Sequence, residues 1–174
     1  MSNSATGWAG ETYSVMKSCR IRQVAYVPDA GHVQLIEMAL ADAEMEATVL
    51  TTEEEGVALL AGAWLGGQCG ALLMQSSGVG NCINMLGLTN ICRFPFLALV
   101  TMRGEWGEFN PWQGPMSRAT ESSLETMGVK TWRVDLSEEV APTLDAVATQ
   151  IFAGDEAGAL LLSQKLIGRK EWTR

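Results

Sequence analysis

Residues 51–81 read TTEEEGVALLAGAWLGGQCGALLMQSSGVGN, and the fold follows from how this run divides. Three acids, Glu53, Glu54 and Glu55, lead an apolar stretch rich in small residues. That is a helix pattern over 53–66 with its acids at the positive end of the helix dipole. GALLM at 70–74 then has the length of a strand but no polar alternation. A strand apolar at every position is covered on both faces, as strands of parallel sheets are. QSSGVGN at 75–81 takes the chain off that strand through a glycine-bearing polar turn into the next helix. Helix, doubly covered strand and helix again is the unit of a parallel α/β sheet.

The same rhythm extends in both directions. Strand patterns fall at 23–27, 46–50, 70–74, 95–101, 130–134 and 158–163. Helical patterns fill 9–20, 31–43, 53–66, 79–91, 117–127 and 138–153. The expected architecture is α/β: a doubly wound, mainly parallel six-stranded sheet with helices on both faces, in a single domain over 1–174. Gly128 is expected just past the end of the fifth helix, and Ser137 with Glu138 and Glu139 at the start of the sixth. Residues 102–116 (MRGEWGEFNPWQGPM) hold three glycines, two prolines and two tryptophans. They are expected to form an ordered binding or interface loop rather than regular structure.

Composition removes several classes of function. The chain of 174 residues carries a net charge of −8, and its basic residues are scattered apart from Arg169, Lys170 and Arg174. A nucleic-acid partner needs clustered cations and is not expected. No stretch reaches the roughly 20 apolar residues of a spanning helix. Residues 1–11 (MSNSATGWAGE) lack the basic start and apolar core of a secretion signal, so a cytoplasmic location is expected. Cys19, Cys69, Cys82 and Cys92, with one histidine in the chain, show no metal-ligand spacing. They read as reduced thiols packed as small hydrophobes, and no metal site is expected.

In doubly wound sheets, ligands bind outside the carboxyl ends of the strands. The segments there are 28–32, 51–56, 75–81, 102–116 and 135–137, and the unusual polar residues and glycines concentrate in them. The Glu53–Glu55 triplet reads either as a solvated helix start or as a crevice wall with one acid turned inward, its pKa raised by burial. QSSGVGN lacks the GK[ST] of a phosphate loop and the third glycine of the dinucleotide fingerprint. It reads as a tight turn or as backbone amides offered to an anion or a polar heterocycle. His32 is either a cap or, beside Asp29, a substrate contact. Arg103, near Glu105 and Glu108, is either part of a surface pair or an anion site.

Taken together, TTEEEGVALLAGAWLGG, ALLMQSSGVGNCIN, FPFLALVTMRGE and QGPM resemble the pyrimidine-binding domain of thiamine-diphosphate enzymes. The resemblance is to the alpha subunits of sulfopyruvate decarboxylases and the equivalent part of phosphonopyruvate decarboxylases. It implies the thiamine-diphosphate-binding fold of the pyrimidine type and a 2-keto-acid decarboxylase, a carbon–carbon lyase. It also implies a glutamate at the start of the helix that activates the cofactor. Counting back from Ala61-Gly62-Ala63-Trp64 assigns this role to Glu54, with Glu53 and Glu55 at solvent. Gln75, Ser76, Ser77, Gly78, Gly80 and Asn81 would then lie along the cofactor's pyrimidine. Asp29 and His32 would approach the substrate, and Arg103 and Gln113 its anionic tail.

The family's diphosphate and Mg2+ site is a GDG motif followed by asparagine, on a second domain. The nearest string here, Gly154-Asp155-Glu156, lacks the asparagine. The resemblance therefore implies a separate beta subunit that binds Mg2+ and the diphosphate, in a hetero-oligomer with at least two copies of each chain. Ser76 stands where those enzymes are expected to carry asparagine, and 105–112 (EWGEFNPW) departs from them. The substrate tail is left open among sulfonate, phosphonate and carboxylate. The rival readings are another lyase or carboligase on the same cofactor, and a non-catalytic doubly wound interaction module.

Overall fold

A computed structural model describes residues 7–168. Six strands form its sheet: β1 (Ile21–Tyr26), β2 (Glu46–Val49), β3 (Cys69–Gln75), β4 (Phe96–Thr101), β5 (Lys130–Val134) and β6 (Ala157–Leu162). Their order is β2-β1-β3-β4-β6-β5, and each neighbouring pair is parallel. The helices between them are α1 (Trp8–Ser18), α2 (Val33–Ala41), α3 (Glu53–Leu65), α4 (Ser76–Cys92), α5 (Gln113–Thr126) and α6 (Ser137–Gly154), with a short α7 (Gln164–Ile167) after β6. The doubly wound α/β architecture read from the sequence is the one observed, and the sheet is parallel throughout.

The apolar runs are continuous because both faces of the sheet are buried. In β3, Ala71 and Leu73 pack with residues of α1, α2 and α6, while Leu72 and Met74 pack with residues of α3, α4 and α5. In β4 the same division separates Leu97 and Leu99 from Phe96, Ala98 and Val100. Period-two alternation is present, but both sets are apolar. The edge strands differ: β2 has no fully buried residue and β5 only Val134.

Three boundaries moved. α4 begins at Ser76, so 75–81 is no free turn but the last strand residue followed by helix. α5 begins at Gln113 rather than 117, which shortens the irregular segment. Pro115 is tolerated there because it occupies the first helical turn, where an amide has no carbonyl to meet. Gly128 follows the α5 cap at φ +78°, and its amide bonds the Glu125 carbonyl at 2.9 Å. Asp155 is the left-handed cap of α6, so Gly154-Asp155-Glu156 is a helix terminus. Among the described residues no helix is long and apolar enough to cross a membrane. Arg169, Lys170 and Arg174 lie outside the described residues.

The topology locates the crevice. From β1 the chain passes to β2 on one side, while β3 lies on the other. The segments leaving β1 and β3 therefore diverge above the sheet's carboxyl edge, the usual place for a ligand.

Candidate functional site

Glu53, Glu54 and Glu55 open α3 directly after the carboxyl end of β2, and three different environments separate them. Glu53 is the buried one, 6% exposed, and its Oε2 accepts a hydrogen bond from Asn81 Nδ2 at 2.7 Å. This corrects the expectation that Glu53 is solvated. The reason lies on the neighbouring helix. A Cβ at Gly78 would lie 2.5 Å from Glu53 Cδ and 2.6 Å from Cγ, so only glycine lets the start of α4 close over this side chain. Glu55 is exposed and accepts the Thr51 amide at 2.9 Å, a bond that closes the helix start.

Glu54 is half-buried, and its Oε2 is buried without a hydrogen-bond partner. The Thr52 hydroxyl, then the backbone amide of Glu54, hold its carboxyl below the usual carboxylate range against the smaller opposing effect of burial. Even so, neither Thr52 Oγ1 nor Glu54 Oε2 completes a hydrogen bond of ordinary geometry. A raised pKa was expected from burial. In the isolated chain the donors at the helix start outweigh it.

The residues from 75 to 81 divide by helix face. Ser76 is fully buried, its Oγ accepting the Arg103 amide at 3.1 Å, and Gly78 is buried against Glu53. Both support the site from behind, which corrects their expected place along a ligand. Ser77, Gly80 and Asn81 face outward and line a depression of about 450 Å3 with Trp112, Pro115 and Met116. Gln75 is half-buried with Oε1 unpartnered. Gln113 is 8% exposed, and its Oε1 is likewise buried and unpartnered.

A second hollow of about 220 Å3 lies above β1 and β4, lined by Asp29, Ala30, Gly31, Thr101, Arg103 and the turn at Ile167 and Gly168. Thr101 Oγ1 donates to Asp29 Oδ2 at 2.6 Å and fixes this carboxylate over the end of β3. His32 does not join Asp29 there. It is fully buried, its Nε2–H donates to the Leu99 carbonyl at 3.0 Å, and its ring meets Trp8 edge-on at 6.4 Å. Burial lowers its pKa, so the ring is neutral and inside the core. That corrects the expectation of a substrate contact.

Arg103 lines the hollow but is already paired. Its Nε and Nη2 donate to Glu108 Oε2 and Oε1 at 2.8 and 3.0 Å. Gln164, 1% exposed, braces the same loop: Oε1 accepts the amides of Glu105 (2.8 Å) and Trp106 (2.9 Å), and Nε2 donates to Glu108 Oε2 (3.0 Å). Thr101, Glu108 and Gln164 were not singled out from the sequence. Glu108 is close enough to Arg103 for pairing to be read. Gln164 is 59 and 58 residues from the amides it holds and carried no local signal. Among the described residues no group of three or more His, Cys, Asp and Glu is placed to hold a metal ion.

No family model matches the chain. Individual relatives do. The chain is 37% identical over 118 residues to the sulfopyruvate decarboxylase subunit alpha of Methanothermobacter thermautotrophicus, covering 67% of this chain and 72% of that protein. It is 31% identical over 150 residues to the protein of the same name in Methanocaldococcus jannaschii, covering 86% and 89%. To the phosphonopyruvate decarboxylase of Streptomyces viridochromogenes it is 30% identical over 151 residues, covering 84% of this chain but 38% of that longer protein.

Proposed function

The chain belongs to the family of sulfopyruvate decarboxylase alpha subunits, and on that premise we propose that it is the pyrimidine-binding subunit of a two-chain, thiamine-diphosphate-dependent 2-keto-acid decarboxylase. Glu54 is the acid that engages the cofactor. The observation that carries this reading is Glu54 Oε2, an acceptor buried without a partner at the carboxyl edge of the sheet. Gln75 Oε1 and Gln113 Oε1 are in the same condition, on the segments after β3 and β4. A buried acceptor left unpaired costs about 1–3 kcal/mol, so an N–H-bearing ligand is the group such a site lacks. An aminopyrimidine fits that donor and acceptor set.

Glu54 and Gln75 would hold the pyrimidine ring, with Ser77, Gly80 and Asn81 bordering it. When bound, the cofactor supplies the electron sink that takes up the bonding electrons as carbon dioxide leaves. Glu54 holds or releases one proton at Oε2. Its pKa, lowered in the isolated chain, rises once a cofactor and a second chain exclude water from it. Asp29, fixed by Thr101, faces the substrate across the smaller hollow. Trp112 is 81% exposed beside the larger depression and is the surface on which a beta subunit closes the site. That subunit supplies the Mg2+ and diphosphate site, in a cytoplasmic hetero-oligomer with two or more copies of each chain.

The test is co-purification with a partner carrying the diphosphate motif, then carbon dioxide release from sulfopyruvate with thiamine diphosphate and Mg2+. Glu54→Gln should lower turnover by about 100-fold or more, the range of a lost proton-transfer group, with melting temperature and partner binding retained. Retained turnover in Glu54→Gln, with loss in Glu53→Gln, would move the role to Glu53 and sink this assignment.

A further inference from the structure

We infer that the hollow above β1 and β4 selects a 2-keto acid with an uncharged tail, and that Glu108 is the residue that sets this preference. The inference rests on the decarboxylase reading above and deepens it. Arg103 is the one cation lining the hollow, and Asp29 is its one anion. Arg103 is not free to meet a second anion, because Glu108 takes two of its donors in a forked pair.

Glu108 is itself held in place. Besides Arg103, its oxygens accept Gln164 Nε2 at 3.0 Å, the Asn110 amide at 3.0 Å and the Gly104 amide at 3.4 Å. Its side chain is 7% exposed and that of Arg103 14%. Separating a pair this buried leaves both charges uncompensated, which is strongly unfavourable. The remaining carboxylate of the loop, Glu105, is engaged by Arg133 at 2.7 Å and does not release Arg103.

The charge balance follows. Arg103 and Glu108 cancel, and Asp29 leaves the wall with a net negative charge. A sulfonate or phosphonate tail brings a further anion against Asp29 with no unpaired cation to receive it. An uncharged tail brings none. Gln164 acts as a positioning residue here, since it fixes Glu108 and the amides of the loop that carries it.

The experiment uses the complex with the partner subunit and compares kcat/KM for sulfopyruvate and for 2-oxopentanoate. The wild-type protein should favour the uncharged substrate by about tenfold or more, the scale of one unit charge in a partly buried site. Glu108→Gln keeps the size of the side chain and removes its charge, so the ratio should shift about tenfold toward sulfopyruvate. A merely structural role would lower both substrates in proportion and leave the ratio unmoved, which overturns the proposal. A wild-type preference for sulfopyruvate overturns it as well, and this holds even if the variant fails to fold. Absence of turnover with every 2-keto acid would be the failure of the decarboxylase reading instead. Charge selection is then read by titrating the wild-type complex with sulfoacetate and with butyrate, followed by tryptophan fluorescence. Equal or tighter binding of sulfoacetate refutes it.

Discussion

Replacing Gly78 by alanine tests how Glu53 joins the two helices at the site. Helix propensity alone favours the change, since alanine is better than glycine inside a helix by about 1 kcal/mol. The contact geometry opposes it. The new Cβ would lie 2.5 Å from Glu53 Cδ and 2.6 Å from Cγ, so the stem of the side chain must move and not just its tip. Moving it breaks the 2.7 Å bond from Asn81 and leaves a carboxylate that is 6% exposed without that donor. A lost hydrogen bond to a buried charge costs about 1.5–3 kcal/mol. After the propensity gain the net loss is about 1–2 kcal/mol, or roughly 2–8 °C in melting temperature for a domain of this size. Thermal unfolding followed by circular dichroism measures it. The same substitution made in Glu53→Ala should change sign and stabilise the protein, because the obstruction is gone. A raised melting temperature for Gly78→Ala with Glu53 in place would refute the reasoning.

Further outcomes follow from the same structure. The Arg103 guanidinium holds the Glu108 carboxyl down at about 2, against an ordinary 4.5. A depressed carboxylate contributes stability that is complete above its unfolded pKa and is lost as pH falls toward its folded value. Acid unfolding titrated between about pH 4.5 and 2 should therefore be less steep in Glu108→Gln than in wild type, and identical slopes would remove this pair from the acid response. Burial pushes the Cys82 thiol up to about 12, and Cys92 is exposed. Limited alkylation at pH 8 read by mass spectrometry should modify Cys92 well before Cys82, and the reverse order would contradict this packing. Leu72 is fully buried between α3 and the sheet, so Leu72→Ala should lower unfolding free energy by about 2–5 kcal/mol in urea titrations. A loss under 1 kcal/mol would show that the core there collapses to fill the space.

The fold was readable where one local pattern had one physical meaning. GALLM and FLALV are apolar at every residue, and only a strand covered on both faces accommodates that. The elements misjudged in length were those where a local signal has two meanings. Gly78 and Gly80 read as a turn, yet they lie in α4, one of them because a side chain from α3 occupies the space of its Cβ. Pro115 read as a break, yet it fits a first helical turn. His32 read as a loop residue, yet its ring turns inward to a carbonyl of β4.

The sequence by itself determined the layer architecture, the six strands, and the family to which 51–81 and its neighbours belong, because each rests on periodicity or on residues adjacent in the chain. Only the tertiary structure decided which member of Glu53-Glu54-Glu55 is tied down by Asn81 and which keeps an unpartnered oxygen. It alone brought Gln164 to the amides of Glu105 and Trp106 and left Arg103 already paired. The reason is that burial and pairing depend on what another element presents across the crevice. Three identical side chains in a row differ in nothing until that neighbour is in place.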